Sequence, residues 1–328
     1  MAQLAELFSS LVAPSSDDGN PFSAVPIPDS PSHRVGKDGS GYPCLLIRVE
    51  NAPTAGRLPS LQLERLAVHH DVRCRIADTD TQVTTIERLT VVRCKDHDLI
   101  SYFLRICEPV VATLGDSPHR SEVSRIVSRL AELFQSISRP PRGSVQGLWA
   151  ELFVITTSRD PAVLVEAWHV NPEDRFDFTL GDQRLEVKST SGPDRRHRFS
   201  LNQVRVLEDI HVLVASLFVE PAGGGSSLGE LVDRIIGQLE GHPELALYVD
   251  HMVALTLGQA LQRGLEERFD FERARDSLTF FRGRDIPSVS PELPPSVSSV
   301  QFTADLTDTP EAYLGAHRDY GDLFRALP

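Results

Sequence analysis

The chain has 328 residues, of which 41% are hydrophobic and 24% are charged, a composition typical of globular proteins with a substantial core. Its formal net charge of −13 argues against a protein that coats nucleic acid non-specifically. No apolar run reaches the ~18 residues needed to span a bilayer, and the first residues lack the basic start of a secretory signal. We therefore expect a cytoplasmic protein that has no membrane partner.

The first third of the chain predicts a sheet followed by helices. A short amphipathic helix opens the sequence, and the Ser-, Pro- and Asp-rich residues 15–40 predict irregular or extended structure. Residues 42–110 contain runs of β-branched and apolar residues that favour strands. From Leu99 the apolar spacing becomes helical, and a second helical pattern covers SEVSRIVSRLAELFQSI.

The four cysteines do not predict a metal site. Their separations are wide and contain no CxxC or CxxH pair, which makes a zinc site unlikely on spacing alone. Because each lies in an apolar or strand-like segment, we expect buried free thiols. The four residues are Cys44, Cys74, Cys94 and Cys107.

Residues 144–221 carry the pattern helix, hairpin, helix, strand. A helix is predicted over 145–156, and two strands over 175–180 and 183–189 are joined by Gly181-Asp182, which favours a tight turn. A helix over 200–207 opens with a Ser200-x-x-Gln203 capping box, and 211–220 reads as a buried strand. The last strand can run parallel to its predecessor through the intervening helix, which predicts an α/β core.

The last third predicts mainly helices. After the glycine-rich residues 222–227, which read as a flexible connection without the Lys-Ser/Thr of a phosphate-binding loop, two helices and two short strands follow. We expect four parts: a helix and extended linker over 1–40, a β-rich domain ending in two helices over 41–140, an α/β core over 141–225, and a mainly helical C-terminal region over 226–328.

Three residues of the predicted hairpin can meet on one face. Glu186 and Lys188 are two apart on a strand and therefore share a face, and Asp177 returns opposite Glu186 across the turn at ~5 Å. Two carboxylates this close repel unless a cation or a proton lies between them. A hard cation such as Mg²⁺ takes oxygen ligands, and a nearby lysine can orient a water or offset phosphate charge. This is the chemistry of phosphodiester hydrolysis.

Glu151 is a fourth candidate. It lies in the apolar helix GLWAELFVI, where we expect it to be partly buried, and a buried carboxylate needs a partner. A metal-bound water or the lysine would supply that partner.

The runs G-L-W-A-E-L, D-F, E-V-K-S and R-F-S-L-N-Q-V resemble the restriction-endonuclease-like PD-(D/E)XK superfamily. The match covers 147–204 well, and it looks most like the PD-(D/E)XK motif proteins of bacterial anti-phage defence clusters. The resemblance implies a mixed central sheet flanked by helices. It also implies that Asp177, Glu186 and Glu151 bind Mg²⁺, for which Mn²⁺ can substitute, and that Lys188 is catalytic. Gln203 matches a glutamine near substrate or metal.

The residue before Asp177 is Phe176 rather than proline, a position that varies in the superfamily. Glu186-Val187-Lys188 is the chain's single Asp/Glu-x-Lys triplet. The arginines of the Arg195-Arg196-His197-Arg198 run follow the second strand, where a DNA backbone would lie. We therefore expect Arg195, Arg196 and Arg198 to contact phosphates.

Each of these residues also has a structural interpretation. Glu186 and Lys188 could form an ordinary salt bridge, Asp177 could stabilise a turn, and Gln203 could only complete a capping box. Glu151 could lie on the helix surface, and the arginines could be a solvated loop.

The expected function is that of a metal-dependent DNA endonuclease in restriction or anti-phage defence. The alternatives are an inactive DNA-binding or assembly subunit of the same fold and a phosphodiesterase acting on RNA. Expected partners are DNA, a methyltransferase or ATPase of a defence system, and a second copy of the chain, since enzymes of the restriction type pair two sites to cut both strands.

Overall fold

The computed structural model describes residues 3–14, 22–50, 59–77, 84–169, 175–204, 209–289, 296 and 299–328. The chain forms two compact units. The first comprises Met1–Pro140 and Asp250–Gln262, and the second comprises Pro141–Val249 and Arg263–Pro328. Across the described ranges, none of the helices has the length and apolar character needed to cross a membrane.

The first unit is built on a six-stranded antiparallel sheet with the order β1-β2-β3-β6-β5-β4. Helices α2 and α3 pack against strands β3 and β5 of this sheet. The elements of this unit are α1 (Gln3–Ser10), β1 (Phe22–Ile27), β2 (Ser30–Asp38), β3 (Pro43–Arg48), β4 (Leu61–Gln62), β5 (Leu66–Ala77), β6 (Thr84–Cys94), α2 (Ile100–Leu114) and α3 (Arg120–Ile137).

Helix α3 shows why the helical prediction succeeds here. Its apolar residues recur at three- and four-residue spacing, and Glu122 closes the first turn by accepting a hydrogen bond from the His119 backbone N–H at 2.7 Å. The apolar residues that set this spacing are all buried: Val123, Ile126, Val127, Leu130, Leu133 and Phe134. The four cysteines are buried free thiols, as predicted.

The expected linker over 15–40 is wrong where the structure describes it. Residues 22–38 contain the whole of β1 and β2, which pair with each other, and β2 then pairs with β3. The Pro- and Ser-rich composition hid these strands because β1 is the edge strand, where proline is tolerated. Gly36 lies against Cys44 and Leu46, and a Cβ at this position would come within 2.9 Å of a side-chain atom of each.

The second unit is built around a four-stranded mixed sheet with the order β13-β10-β8-β7, and two-stranded sheets β11-β12 and β9-β14 lie beside it. Its elements are α4 (Val145–Thr157), α5 (Pro161–Ala167), β7 (Phe178–Leu180), β8 (Gln183–Thr190), β9 (Arg196–Ser200), α6 (Leu201–Val204), β10 (His211–Phe218), β11 (Pro221–Ser227), α7 (Leu228–Gln238), α8 (Pro243–Leu257), α9 (Leu261–Glu266), β12 (Arg268–Phe269), α10 (Phe271–Ser277), β13 (Thr279–Arg282), β14 (Gln301–Asp305) and α11 (Asp322–Ala326). The boundary between the two units falls within α8 and α9.

The predicted α/β core is confirmed. Strand β10 pairs with β8 in parallel, in the register Val214↔Glu186, while β7 and β13 add antiparallel edges. The central residues of β10 are all buried, as expected for a strand whose two faces are covered. Helix α4 packs on β8 and also contacts α5 and α7.

Two regions differ from expectation in the second unit. The glycine-rich residues 222–227 are not a loose connection, because they belong to β11, which pairs with β12 at Pro221, Ser226 and Ser227. The predicted helix over 200–207 is described only as α6, since 205–208 lie outside the described residues. The C-terminal strands appear as predicted, as β13 and β14.

Candidate active site

The β7–β8 hairpin brings Asp177 beside Glu186. Gly181 adopts a left-handed φ of 56° at the first position of the two-residue turn, and Phe178 pairs with Leu185. Asp177 directly precedes β7, so it lies at the level of Glu186 on the neighbouring strand. Its Oδ2 accepts a hydrogen bond from the Val187 backbone N–H at 2.7 Å, which fixes the carboxylate against β8.

Glu186 and Lys188 share one face of β8, as the strand period requires. Lys188 Nζ donates to Glu186 Oε1 at 2.5 Å. The Glu186 side chain is only 5% exposed, so this is a buried ion pair rather than a solvated strand face. Glu186 Oε2 is also buried and has no hydrogen-bond partner among the residues that the structure describes.

Glu151 projects from α4 toward the same region. The helix begins at a Ser144 cap, whose Oγ accepts from the Gly147 backbone N–H at 3.0 Å. Apart from Glu151, its middle turns are apolar and buried. The Glu151 side chain is 16% exposed, as predicted, and its Oε2 accepts from Trp168 Nε1 at 2.7 Å.

Electrostatics link the three carboxylates. The pKa of Asp177 lies well above its usual range because of burial, then the nearby charges of Glu186 and Glu151, against a smaller lowering by the Val187 N–H. Burial also raises the pKa of Glu186, although Lys188 counteracts this. The cluster therefore has more buried negative charge than Lys188 alone offsets. With the unpaired Glu186 Oε2, this donor set fits a hard divalent cation.

Gln203 contacts both the start of α6 and the buried Glu186 carboxylate. Its Oε1 accepts from the Ser200 backbone N–H at 2.9 Å, which is one half of the capping box. Its Nε2 donates to Glu186 Oε1 at 2.6 Å and to the Arg175 carbonyl oxygen at 3.1 Å. Gln203 therefore joins the start of α6 to the buried carboxylate and orients it.

The structure adds a residue that the sequence analysis missed. His169 Nε2 lies 3.0 Å from Glu151 Oε2 and 4.0 Å from Asp177 Oδ1. Ligand atoms of these three residues all lie within 4.8 Å of one another, which is a spacing that a metal ion can bridge. No motif pointed to His169, because its approach to Glu151 depends on the packing of α5 against α4.

The sequence predicted that Glu186 binds the metal. In the structure one of its two carboxylate oxygens is already occupied by hydrogen bonds. Glu186 Oε1 already accepts from Lys188 and Gln203, so only Oε2 is available to an ion. Glu151 and Asp177 lie in the three-residue group with His169. The assignment of Asp177, Glu186 and Glu151 as metal ligands stays a prediction.

The three predicted DNA-contacting arginines have different surroundings. The guanidinium of Arg195 donates inward to the Ser216 carbonyl at 2.9 Å, to Ser216 Oγ at 2.8 Å and to the Ser277 carbonyl. Arg196 is exposed and pairs with Asp305 at 3.0 Å. Arg198 is exposed on the same face of β9, so Arg196 and Arg198 are better placed than Arg195 for an external phosphate.

Comparison with known families identifies a family that covers most of the chain. Residues 4–307 match the model of a family described as "Putative PD-(D/E)XK family member" (DUF4420). No curated protein and no solved structure matches the chain.

Proposed function

The chain belongs to the DUF4420 family of PD-(D/E)XK proteins, and from this membership we propose that it is a metal-dependent endonuclease that hydrolyses phosphodiester bonds in DNA. The single observation that supports this most is the convergence of Asp177, Glu186 and Lys188 on one hairpin. The superfamily consists generally of nucleases with a restriction-endonuclease-like fold, and the mixed β13-β10-β8-β7 sheet with flanking helices has that fold.

The contacts suggest a role for each residue of the proposed site. Asp177, Glu186 and Glu151 would hold Mg²⁺ or Mn²⁺, which when bound polarises a phosphate and lowers the pKa of a bound water. Lys188 keeps its ammonium group against Glu186, where it can offset the charge of an incoming phosphate. Gln203 orients Glu186 from the opposite side. The protein thus contributes positions and charges that exist before substrate arrives.

DNA is the substrate class that the surface supports. Arg196 and Arg198 project from the exposed face of β9, which follows β8 in the chain and contacts it. Arginine side chains on an exposed strand can bind consecutive phosphates. By resemblance we also propose a role in restriction or anti-phage defence, with a methyltransferase or ATPase as partner and a homodimer as the cutting form.

The test is cleavage of a supercoiled plasmid by the purified chain with Mg²⁺ or Mn²⁺. We expect nicking or cutting that requires the metal and that Asp177→Asn and Lys188→Ala each reduce by about 10²-fold or more, as removal of a charge-stabilising group does in other enzymes. Asp182→Asn is the matched control, because Asp182 is exposed in the turn of the same hairpin. This variant should cleave the plasmid as the wild type does.

Cleavage that survives both Asp177→Asn and Lys188→Ala would refute the proposed site. Calorimetric titration with Mn²⁺ separates the remaining outcomes. A folded chain that binds no Mn²⁺ and cuts no DNA would instead be an inactive subunit of the same fold. Cleavage of RNA but not of DNA would show that the substrate is RNA.

A further inference from the structure

We propose that His169 is a metal ligand of this site and that its imidazole makes the site prefer Mn²⁺ to Mg²⁺. The inference rests on the proposed function, because it deepens the description of the same metal site. It concerns a residue that neither the sequence pattern nor the family description assigns.

The distances around His169 are those of neighbouring ligands on one ion. Two donor atoms that are each ~2.1 Å from an octahedral metal stand about 3.0 Å apart when adjacent and about 4.2 Å apart when opposite. His169 Nε2 is 3.0 Å from Glu151 Oε2 and 4.0 Å from Asp177 Oδ1, so both separations fall within this range. The imidazole is 26% exposed and can be reached from solvent.

The backbone holds His169 in an unfavourable conformation to achieve this approach. Its φ is 42°, a left-handed value that residues other than glycine rarely adopt. Its N–H donates to the Asp177 carbonyl oxygen at 2.9 Å, which ties the two proposed ligands together. The Tyr248 hydroxyl lies 3.1 Å from the His169 carbonyl oxygen and 2.7 Å from that of Trp168. These contacts fix the segment from both sides.

A hydrogen bond from His169 to Glu151 explains their short distance less well than a shared metal ion does. Glu151 Oε2 already accepts from Trp168 Nε1 at 2.7 Å, so His169 is not needed to satisfy that oxygen. The nearby Glu186 side chain is 95% buried, yet its Oε2 has no hydrogen-bond partner among the described residues. A cation bound by Glu151, His169 and Asp177 explains why the three side chains approach one another, and it offsets the negative charge of Glu186 that acts on Asp177.

The identity of the ligands predicts the choice of metal. Mg²⁺ binds oxygen donors and keeps its waters. Mn²⁺ also favours oxygen donors, but as a transition metal it accepts an imidazole nitrogen more readily than Mg²⁺ does. Replacing one oxygen donor by His169 therefore strengthens Mn²⁺ relative to Mg²⁺.

The experiment uses the full chain loaded with Mn²⁺ alone and compares wild type, His169→Asn and His242→Ala. Asparagine tolerates the left-handed conformation, so His169→Asn removes the imidazole without changing the backbone. His242 is an exposed histidine of the same unit and is the control. Pulsed EPR of bound Mn²⁺ detects an imidazole nitrogen on the ion directly, and calorimetry gives the affinities for Mn²⁺ and Mg²⁺.

We expect a nitrogen signal from wild type and from His242→Ala, and none from His169→Asn. We also expect the affinity of His169→Asn for Mn²⁺ to fall by about tenfold or more and its affinity for Mg²⁺ to fall less. If wild type binds Mn²⁺ but shows no nitrogen signal, His169 is not a ligand, and the proposed nuclease site remains possible. This test uses wild type alone, so it holds even if His169→Asn does not fold. Wild type that binds neither metal would overturn both proposals.

Discussion

Asp177 is held where its charge opposes folding in the absence of metal. Burial and the charges of Glu186 and Glu151 raise its pKa, so the folded protein holds this proton more tightly than the unfolded chain does. The contribution of such a carboxyl group to stability is present at low pH and is lost as pH rises through the folded pKa. A residue that we propose as a metal ligand therefore destabilises the metal-free protein as pH rises.

The first prediction is that Asp177→Asn stabilises the metal-free protein by about 1 kcal/mol at pH 7 or above, although it removes metal binding. The asparagine Oδ1 can still accept from the Val187 N–H, and the change removes one of the clustered charges. Chemical unfolding in EDTA measures this gain, which should shrink as pH falls. Asp182→Asn should give no comparable gain, and a loss of stability in Asp177→Asn would contradict the argument.

His197 predicts a second pH effect, of opposite sign. It is buried on β9, where its Nε2 lies 2.8 Å from Ser216 Oγ. Burial lowers its pKa to about 4, assisted by Lys188 and Arg195. Because the unfolded chain takes up this proton first, stability should be lost as pH falls from about 6.5 to about 4, by about 2 to 3 kcal/mol from this residue.

The measurement for His197 compares urea unfolding of wild type and His197→Gln across that pH range. Glutamine can retain a hydrogen bond to Ser216 but does not titrate, so its stability should depend less on pH. Parallel pH dependences for the two proteins would show that His197 is not the titrating group.

Among the helices and strands, the sequence predicted those whose formation depends on residues close together in the chain. The β7–β8 hairpin followed from Gly181-Asp182 and the alternation of side chains along strands, and α3 and α4 followed from their apolar residues. The β11 strand was missed because its glycines carry no strand propensity. Its pairing depends on Phe269, more than forty residues away in the chain, and such a contact leaves no signal in a short window.

Strand β11 supports the helix that carries Glu151. Trp149 of α4 donates from Nε1 to the Ser226 carbonyl oxygen at 3.1 Å, and its ring lies against Phe269 at 5.4 Å between centroids. Gly225 allows the two strands this approach, because a Cβ at this position would lie 2.1 Å from the Phe269 carbonyl oxygen.

The third prediction is that Gly225→Ala destabilises the protein by about 1 to 3 kcal/mol, the usual cost of forcing extra atoms into a packed region. Gly224→Ala is the matched control, since a Cβ at Gly224 meets nothing within 4 Å. Thermal unfolding of the two variants in one buffer checks this. Equal melting temperatures would mean that the backbone at Gly225 moves aside without cost.

Across the whole molecule, the sequence predicted which residues meet on the hairpin better than the contacts that distant segments make with them. The acidic and basic positions on the hairpin could be placed because a strand's alternation and a two-residue turn fix them relative to one another. His169 could not be placed, since its approach to Glu151 depends on the packing of α4 against α5. The inward orientation of Arg195 depends in the same way on Ser216 and Ser277, which are distant in the chain.

The net charge of −13 bears on how such a chain can bind DNA at all. A protein with this charge repels a polyanion over most of its surface, so binding must depend on a few local cations. Arg196 shares its charge with Asp305 and Asp194, whereas Arg198 is exposed on the same face and is paired with the neutral Thr303 in the strand register. Of these two arginines, Arg198 is therefore the one whose replacement should weaken DNA binding more.

The fourth prediction is that Arg198→Gln lowers the steepness with which DNA affinity falls as salt rises. Each phosphate contact contributes about 0.9 to the slope of log affinity against log salt, so the slope should change by about one. Fluorescence anisotropy with a short duplex measures this in the Lys188→Ala background with Mg²⁺, where the DNA stays intact. Arg325→Gln, an exposed arginine on α11 paired with Asp322, should leave the slope unchanged. An unchanged slope in Arg198→Gln would place the DNA-binding surface away from β9.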